Sequence, residues 1–89
     1  MTTLALPALL THDQARACVQ SLGLGIRAEQ ASKVFIDASA LEKFDSSALA
    51  VLLQCRRDST ALGKSFEVTG LPHQLRELAN LYGISELLE

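Results

Sequence analysis

In "ASALEKFDSSALAVLLQCRR", residues 38–57, Asp45, Ser46 and Ser47 stand where a strand-like run has ended and a helix-like run begins. Two hydroxyls behind a carboxylate at such a point can cap the helix, act as a nucleophile if a base lies in reach, or accept a phosphoryl group. If Asp45 is the helix cap, its carboxylate satisfies an orphan N–H. Ser46 and Ser47 then occupy the first turn, where the helix dipole favours a phosphate or an anionic partner. On residue types alone the cap is the ordinary reading. A serine nucleophile would need a base, and the only histidines, His12 and His73, each fall in the first turn of another helix, outside any nucleophile motif. No catalytic residue is therefore expected. There is no Gly-rich phosphate loop either, because "GLG" at 23–25 follows a helix instead of joining a strand to one. Asp37 and Asp45 lack a third ligand and read as loop-ordering and capping groups. Cys18 and Cys55 are 37 positions apart with no C-x-x-C spacing, so neither a metal nor a cofactor is expected. Both cysteines are expected on apolar helix faces as small hydrophobes, in a reducing compartment.

The elements that must hold these residues are short. With 89 residues the chain is read as one domain, 1–89, with one core. Aromatic residues are 4% of the chain and apolar residues 48%, so the core must be built mainly from Leu, Ala, Val and Ile. The net charge of −2, with the signs interspersed, argues against a nucleic-acid face. No run reaches the ~18 apolar residues needed to cross a bilayer, and a cytoplasmic protein is expected. "TTLALPALLT" reads as a short strand in which Pro7 marks an edge or a bulge. "THDQ" at 11–14 has the form of a capping box, starting a helix on Ala15, Cys18, Val19 and Leu22 that "GLG" should end. "KVFIDAS" at 33–39 reads as a central, parallel strand. After the loop "ALEKF", a helix is expected from Ser46 to Leu62 with Gly63 as its stop, then the strand "SFEVTG". A helix opening with Pro72 in its first turn and closing at Gly83 follows, and "ISELLE" makes a last turn. The expected core is Val34, Phe35, Ile36, Leu52, Cys55, Val68, Leu75 and Leu78.

At 100° per residue, the second helix places Ala48, Val51, Leu52, Cys55, Ser59 and Leu62 on one broad arc, the expected core face. The opposite arc carries Ser46, Ala50, Leu53 and Arg57, with Leu49 on its flank. Hydroxyls, small and apolar residues and an arginine on one stripe make a patch suited to a protein partner.

The order of a strand, "DASALEKFDSSALAVLL", the strand "FEVTG" and "LRELANLYGISELL" resembles a STAS domain, the fold named for sulfate transporters and anti-sigma-factor antagonists, over nearly the whole chain. The most specific part is Asp37-x-Ser39 followed by Asp45, Ser46, Ser47 and an apolar helix. In the antagonist branch the first serine after the second Asp is the phosphoacceptor, which the motif puts at Ser46. Two departures stand out: Ala48 occupies the place where antagonists usually have Gly, and the N-terminal strand region is trimmed, with only one strand-length run ahead of Thr11. The compact length and the "LANLYGISELL" ending are more similar to the small STAS subunit of Mla-type ABC transporters, which move phospholipid between the envelope membranes of Gram-negative bacteria. The resemblance implies a single small α/β domain with a mixed sheet of about four strands and helices packed against it. It further implies a non-enzymatic protein that binds the ATPase subunit through the helix start at Ser46 and Ser47, reaching the inner face of the inner membrane through that partner without inserting itself. The alternative it implies is an anti-sigma factor antagonist, phosphorylated at Ser46, whose partner is a serine kinase.

Overall fold

A computed structural model describes residues 3–84 of the chain. The N-terminal run divides at Pro7 into two pieces, β1 (Thr3–Ala5) and β2 (Leu9–Leu10), because a proline supplies no N–H to a ladder. Helix α1 (His12–Ala28) follows, then β3 (Lys33–Asp37), the short β4 (Lys43–Phe44), α2 (Ser47–Ala61), β5 (Ser65–Thr69) and α3 (His73–Leu81). The α/β fold class is as expected, while the sheet differs from the expected mixed sheet of about four strands. Strands β1, β3 and β5 form a three-stranded sheet with β3 in the centre, and β2 pairs with β4 beside it; all three pairings are parallel. β4 arises inside the stretch expected to be a loop, where Glu42 and Lys43 N–H donate to the Ala8 carbonyl.

Strands running in one sense and added in one direction put α1 and α2 on the same face by the right-handed crossover rule, and the two helices pack on one another. Val34 and Ile36 of β3 are buried, in contact with that layer, whereas Phe35 is only half-buried. Register sets Phe35 beside Glu67 and Lys33 beside Ser65. Lys33 Nζ lies 3.3 Å from Glu67 Oε1 and 5.1 Å from the Phe35 ring centre. Phe35 therefore belongs to the far face of the sheet and not to the expected core. Of the other expected core residues, Ile36, Val34, Leu52, Cys55 and Leu75 are buried, and Val68 and Leu78 are half-buried against the cluster. Leu6, Leu10, Leu22, Ile26, Ala38, Leu41, Ala48, Leu49, Val51 and Ala79 complete it.

Two helix ends depart from expectation. The capping box closes as read, with Gln14 Oε1 accepting from Thr11 N–H at 3.0 Å. But α1 runs through "GLG" to Ala28. Gly25 lies against β1, where a Cβ would come within 2.7 Å of Leu4 Cδ2, and Gly23 is buried. Close packing outweighs the ~1 kcal/mol that each glycine costs a helix. The end of α1 is then held by Lys64, whose ammonium donates to the Ile26 carbonyl at 2.9 Å and also to the carbonyl of Glu29. Helix α2 stops as read: Gly63 takes φ 74° and Lys64 N–H returns to the Ser59 carbonyl at 2.9 Å. Leu62, expected on the core arc, is the C-cap just ahead of this stop and is 47% exposed, because the chain leaves helical geometry there. Pro72 sits at the N-cap of α3, one position ahead of the first turn. The expected last turn "ISELLE" lies beyond the described residues except for Ile84, which packs on the core.

Candidate functional site

Parallel strands end together, and the loops beyond the carboxyl ends of β1, β3 and β5 meet at one edge of the molecule, the usual place for sites in open parallel sheets. Leu6 N–H donates to the Asp37 carbonyl at 2.9 Å, and Ala38 N–H to the Thr69 carbonyl at 2.8 Å, so the three loops are tied to one another. Asp37 Oδ1 accepts from Ser39 N–H at 2.9 Å and closes a local turn. The bonds from Ser39 hold the Asp37 carboxyl below its usual range. Gly70, at φ 66°, fits over this turn: a Cβ there would lie 2.8 Å from Ser39 Cβ and 3.2 Å from Asp37 Oδ1. The D-x-S element thus orders a loop, and sequence reasoning missed Gly70 as its lid. The glycine directly after a strand in "EVTG" was the available signal.

Asp45 does more than cap one helix. Its Oδ1 accepts from Ser47 N–H at 2.8 Å, and its Oδ2 accepts from the N–H of His12 at the start of α1, 3.1 Å away. The Ser47 N–H is the largest cause of a carboxyl held below the usual range; His12 and the Ser47 side chain add to it. The N-cap position itself belongs to Ser46, whose side chain makes no capping bond. Ser46 is exposed and Ser47 half-buried. A carboxylate one residue ahead has taken the capping role and left the Ser46 hydroxyl with no hydrogen bond among the described residues.

From Ser46 a ridge runs along α2. Ala50 and Arg57 are exposed on it, and Leu53 is half-buried with part of its side chain on the core. Leu49, expected on the flank of this stripe, is 2% exposed and belongs to the core. Its angle on the helix lies just within the arc that the core covers, so it offers no surface to a partner.

His73 Nε2 pairs with Glu77 Oε1 at 2.9 Å on the exposed side of α3, and His12 enters the site through its backbone N–H. Among the described residues no three His, Cys, Asp or Glu side chains gather as a metal site, and no helix is long and apolar enough to cross a membrane. What the arrangement offers is a solvent-facing hydroxyl at a helix start, beside a ridge of small, apolar and cationic side chains. The whole chain, residues 1–89, matches a family model described as "Mlab, STAS domain". No curated protein matches it.

Proposed function

The chain belongs to the STAS domain family, whose members serve protein interaction and regulation, and on that premise we propose that it is a non-catalytic subunit that docks on the ATPase of a phospholipid-transporting ABC complex of the Mla type. The observation that carries this reading is the division of labour at the start of α2. Asp45 caps the helix, so Ser46 is exposed and unbonded at the head of the Ala50, Leu53 and Arg57 ridge. A hydroxyl contact at the head of a ridge with an apolar centre is the anatomy of a protein interface, and nothing in it requires a reaction. The wording of the family description supports the Mla-type assignment. The partner would hold the protein at the inner face of the inner membrane.

The test is a binding titration against the ATPase subunit of an Mla-type transporter, with Ser46→Glu as the variant. An unmatched charge in the interface should weaken binding by about tenfold or more, while the domain stays folded because an acidic group suits a helix N-terminus. Equal affinity for both proteins would remove Ser46 from the interface.

A second reading is favoured by the same exposed hydroxyl. A phosphate on Ser46 would meet the positive end of α2, as an antagonist released from an anti-sigma serine kinase requires. Ala48, which stands where antagonists usually have Gly, is buried, so its methyl group points into the core and away from an approaching kinase. Incubation with the kinase and ATP followed by site mapping separates the readings: stoichiometric phosphate on Ser46 supports the antagonist, and an unmodified serine with tight ATPase binding supports the transporter subunit.

A further inference from the structure

Between α1 and α2 runs an open groove of about 880 Å³. Its floor is made of small and apolar groups, Ala15, Val19 and Gly23 from α1 with Ala50 and Val51 from α2. Ala50 is shared with the ridge that begins at Ser46, so the groove continues the surface assigned above. Arg16, Gln20, Leu24 and Arg27 form its α1 rim and recur at helical spacing along one face. Leu24 is 63% exposed, one of the most exposed large apolar residues among those described. Arg16 and Arg27 bracket it three helical turns apart, about 16 Å along the axis at 1.5 Å per residue. Among the described residues neither arginine takes part in an ion pair. The one carboxylate lining the groove, Asp58, accepts from the Gln54 amide through Oδ1 at 3.0 Å, while its Oδ2 and the Arg27 guanidinium both lie against Gly23.

We propose that this groove receives an amphipathic helix of the protein partner, with an apolar face seated on Ala15, Gly23 and Ala50 and carboxylates flanking that face about three turns apart to meet Arg16 and Arg27. Three features select this occupant. The small floor residues allow a helix backbone to approach closely, and the groove follows two packed helices along their length, which suits a third helix better than a strand. The exposed leucine lies between two arginines that form no ion pair among the described residues, and it calls for a ligand that is apolar in the middle and anionic at both ends. The inference rests on the reading of the chain as an ATPase-docking subunit and adds the groove to the α2 ridge.

The experiment uses the full chain and the purified ATPase subunit as the probe, with Arg16→Glu/Arg27→Glu and, separately, Gly23→Leu. A Cβ at Gly23 meets only the movable ends of the Arg27 and Asp58 side chains, at ordinary contact distances of 3.5 and 3.6 Å, so the larger side chain is directed into the groove. Melting curves check that both variants fold. The double arginine variant should bind at least about tenfold more weakly and lose most of the salt dependence of binding. Gly23→Leu should weaken binding comparably while keeping the salt slope. A photo-cross-linker placed at Leu24 of the otherwise wild-type protein should map to a partner helix carrying two carboxylates about eleven residues apart. Wild-type binding that both folded variants retain, or cross-links falling on a loop or a basic segment, overturns the groove while leaving the docking function standing. So does loss of sedimentation with phosphatidylglycerol vesicles in the arginine variant with ATPase binding intact, which would make the groove a lipid contact. A wild-type protein that binds no ATPase overturns the parent reading and this inference with it.

Discussion

The carboxylate of Asp45 accepts from the backbone N–H of His12, 3.1 Å away and 33 residues earlier in the chain. With its other oxygen on Ser47 N–H, one exposed side chain joins the starts of α1 and α2. The angle between these helices sets the groove and aims Ser46, so the residue that looked like a local cap also positions the surface proposed for docking.

Asp45→Asn should show this in its pH dependence. The carboxyl is lowered from 3.8 in the folded protein, so its contribution is fully present above that value and is lost as pH falls through the depressed folded one. Asparagine turns one of the two acceptors into a donor facing an N–H. Urea midpoints should be lower for the variant at pH 7 and should converge with wild type as pH drops below about 4. Parallel curves at every pH would mean that Asp45 is not coupled to folding.

Gly70→Ala tests the lid over the Asp37 and Ser39 turn. A left-handed conformation costs a non-glycine residue about 1–2 kcal/mol, and the contact with Ser39 adds to that. A loss of about 1–3 kcal/mol is expected in chemical denaturation, with the largest amide shift at Ser39. An unchanged midpoint would show that the turn can move away freely.

Leu52 and Leu53 are neighbours with different surroundings. Leu52 is 0% exposed, and Leu52→Ala should cost about 2–5 kcal/mol. Leu53 is half-buried on the core, so Leu53→Arg should exceed the ~0.5 kcal/mol of an open surface site yet cost less than the Leu52 truncation, while impairing partner binding more than either number suggests. Leu53→Ala, which adds no charge, should weaken binding with a smaller loss of stability. Thermal melts and titrations on the three variants give the order.

Cys55 is 1% exposed, and burial, with smaller contributions from Cys18 and Asp58, pushes its thiol up to about 12. Only the thiolate reacts, so a disulfide reagent at pH 8 should modify Cys18 slowly and Cys55 only on unfolding. The unfolded thiol loses its proton near 9.0 while the folded one keeps it, so stability should fall as pH rises from 9 towards 12. Rapid labelling of two thiols in the native protein would contradict the burial.

Some of this protein is written in short stretches of its sequence. The β-branched run at 33–37 forms the central strand, and the D-S-S sequence before an apolar repeat marks a helix start. Gly63 and Gly83 stop their helices with φ 74° and 72°. These features depend on neighbours within one or two turns, so residue type and spacing suffice to find them. Tertiary structure decided the rest. "GLG" reads as a stop, and it becomes helix because Leu4 of β1 needs a partner with no Cβ at Gly25. Leu49 and Leu62 exchange their expected roles because the breadth of the covered arc and the geometry past the helix end belong to packing and not to a wheel. The second bond of Asp45, the lid at Gly70 and the groove between α1 and α2 each join segments far apart in the chain. Local sequence carries no record of which distant N–H or side chain will arrive there; only the closure of the parallel sheet brings them together.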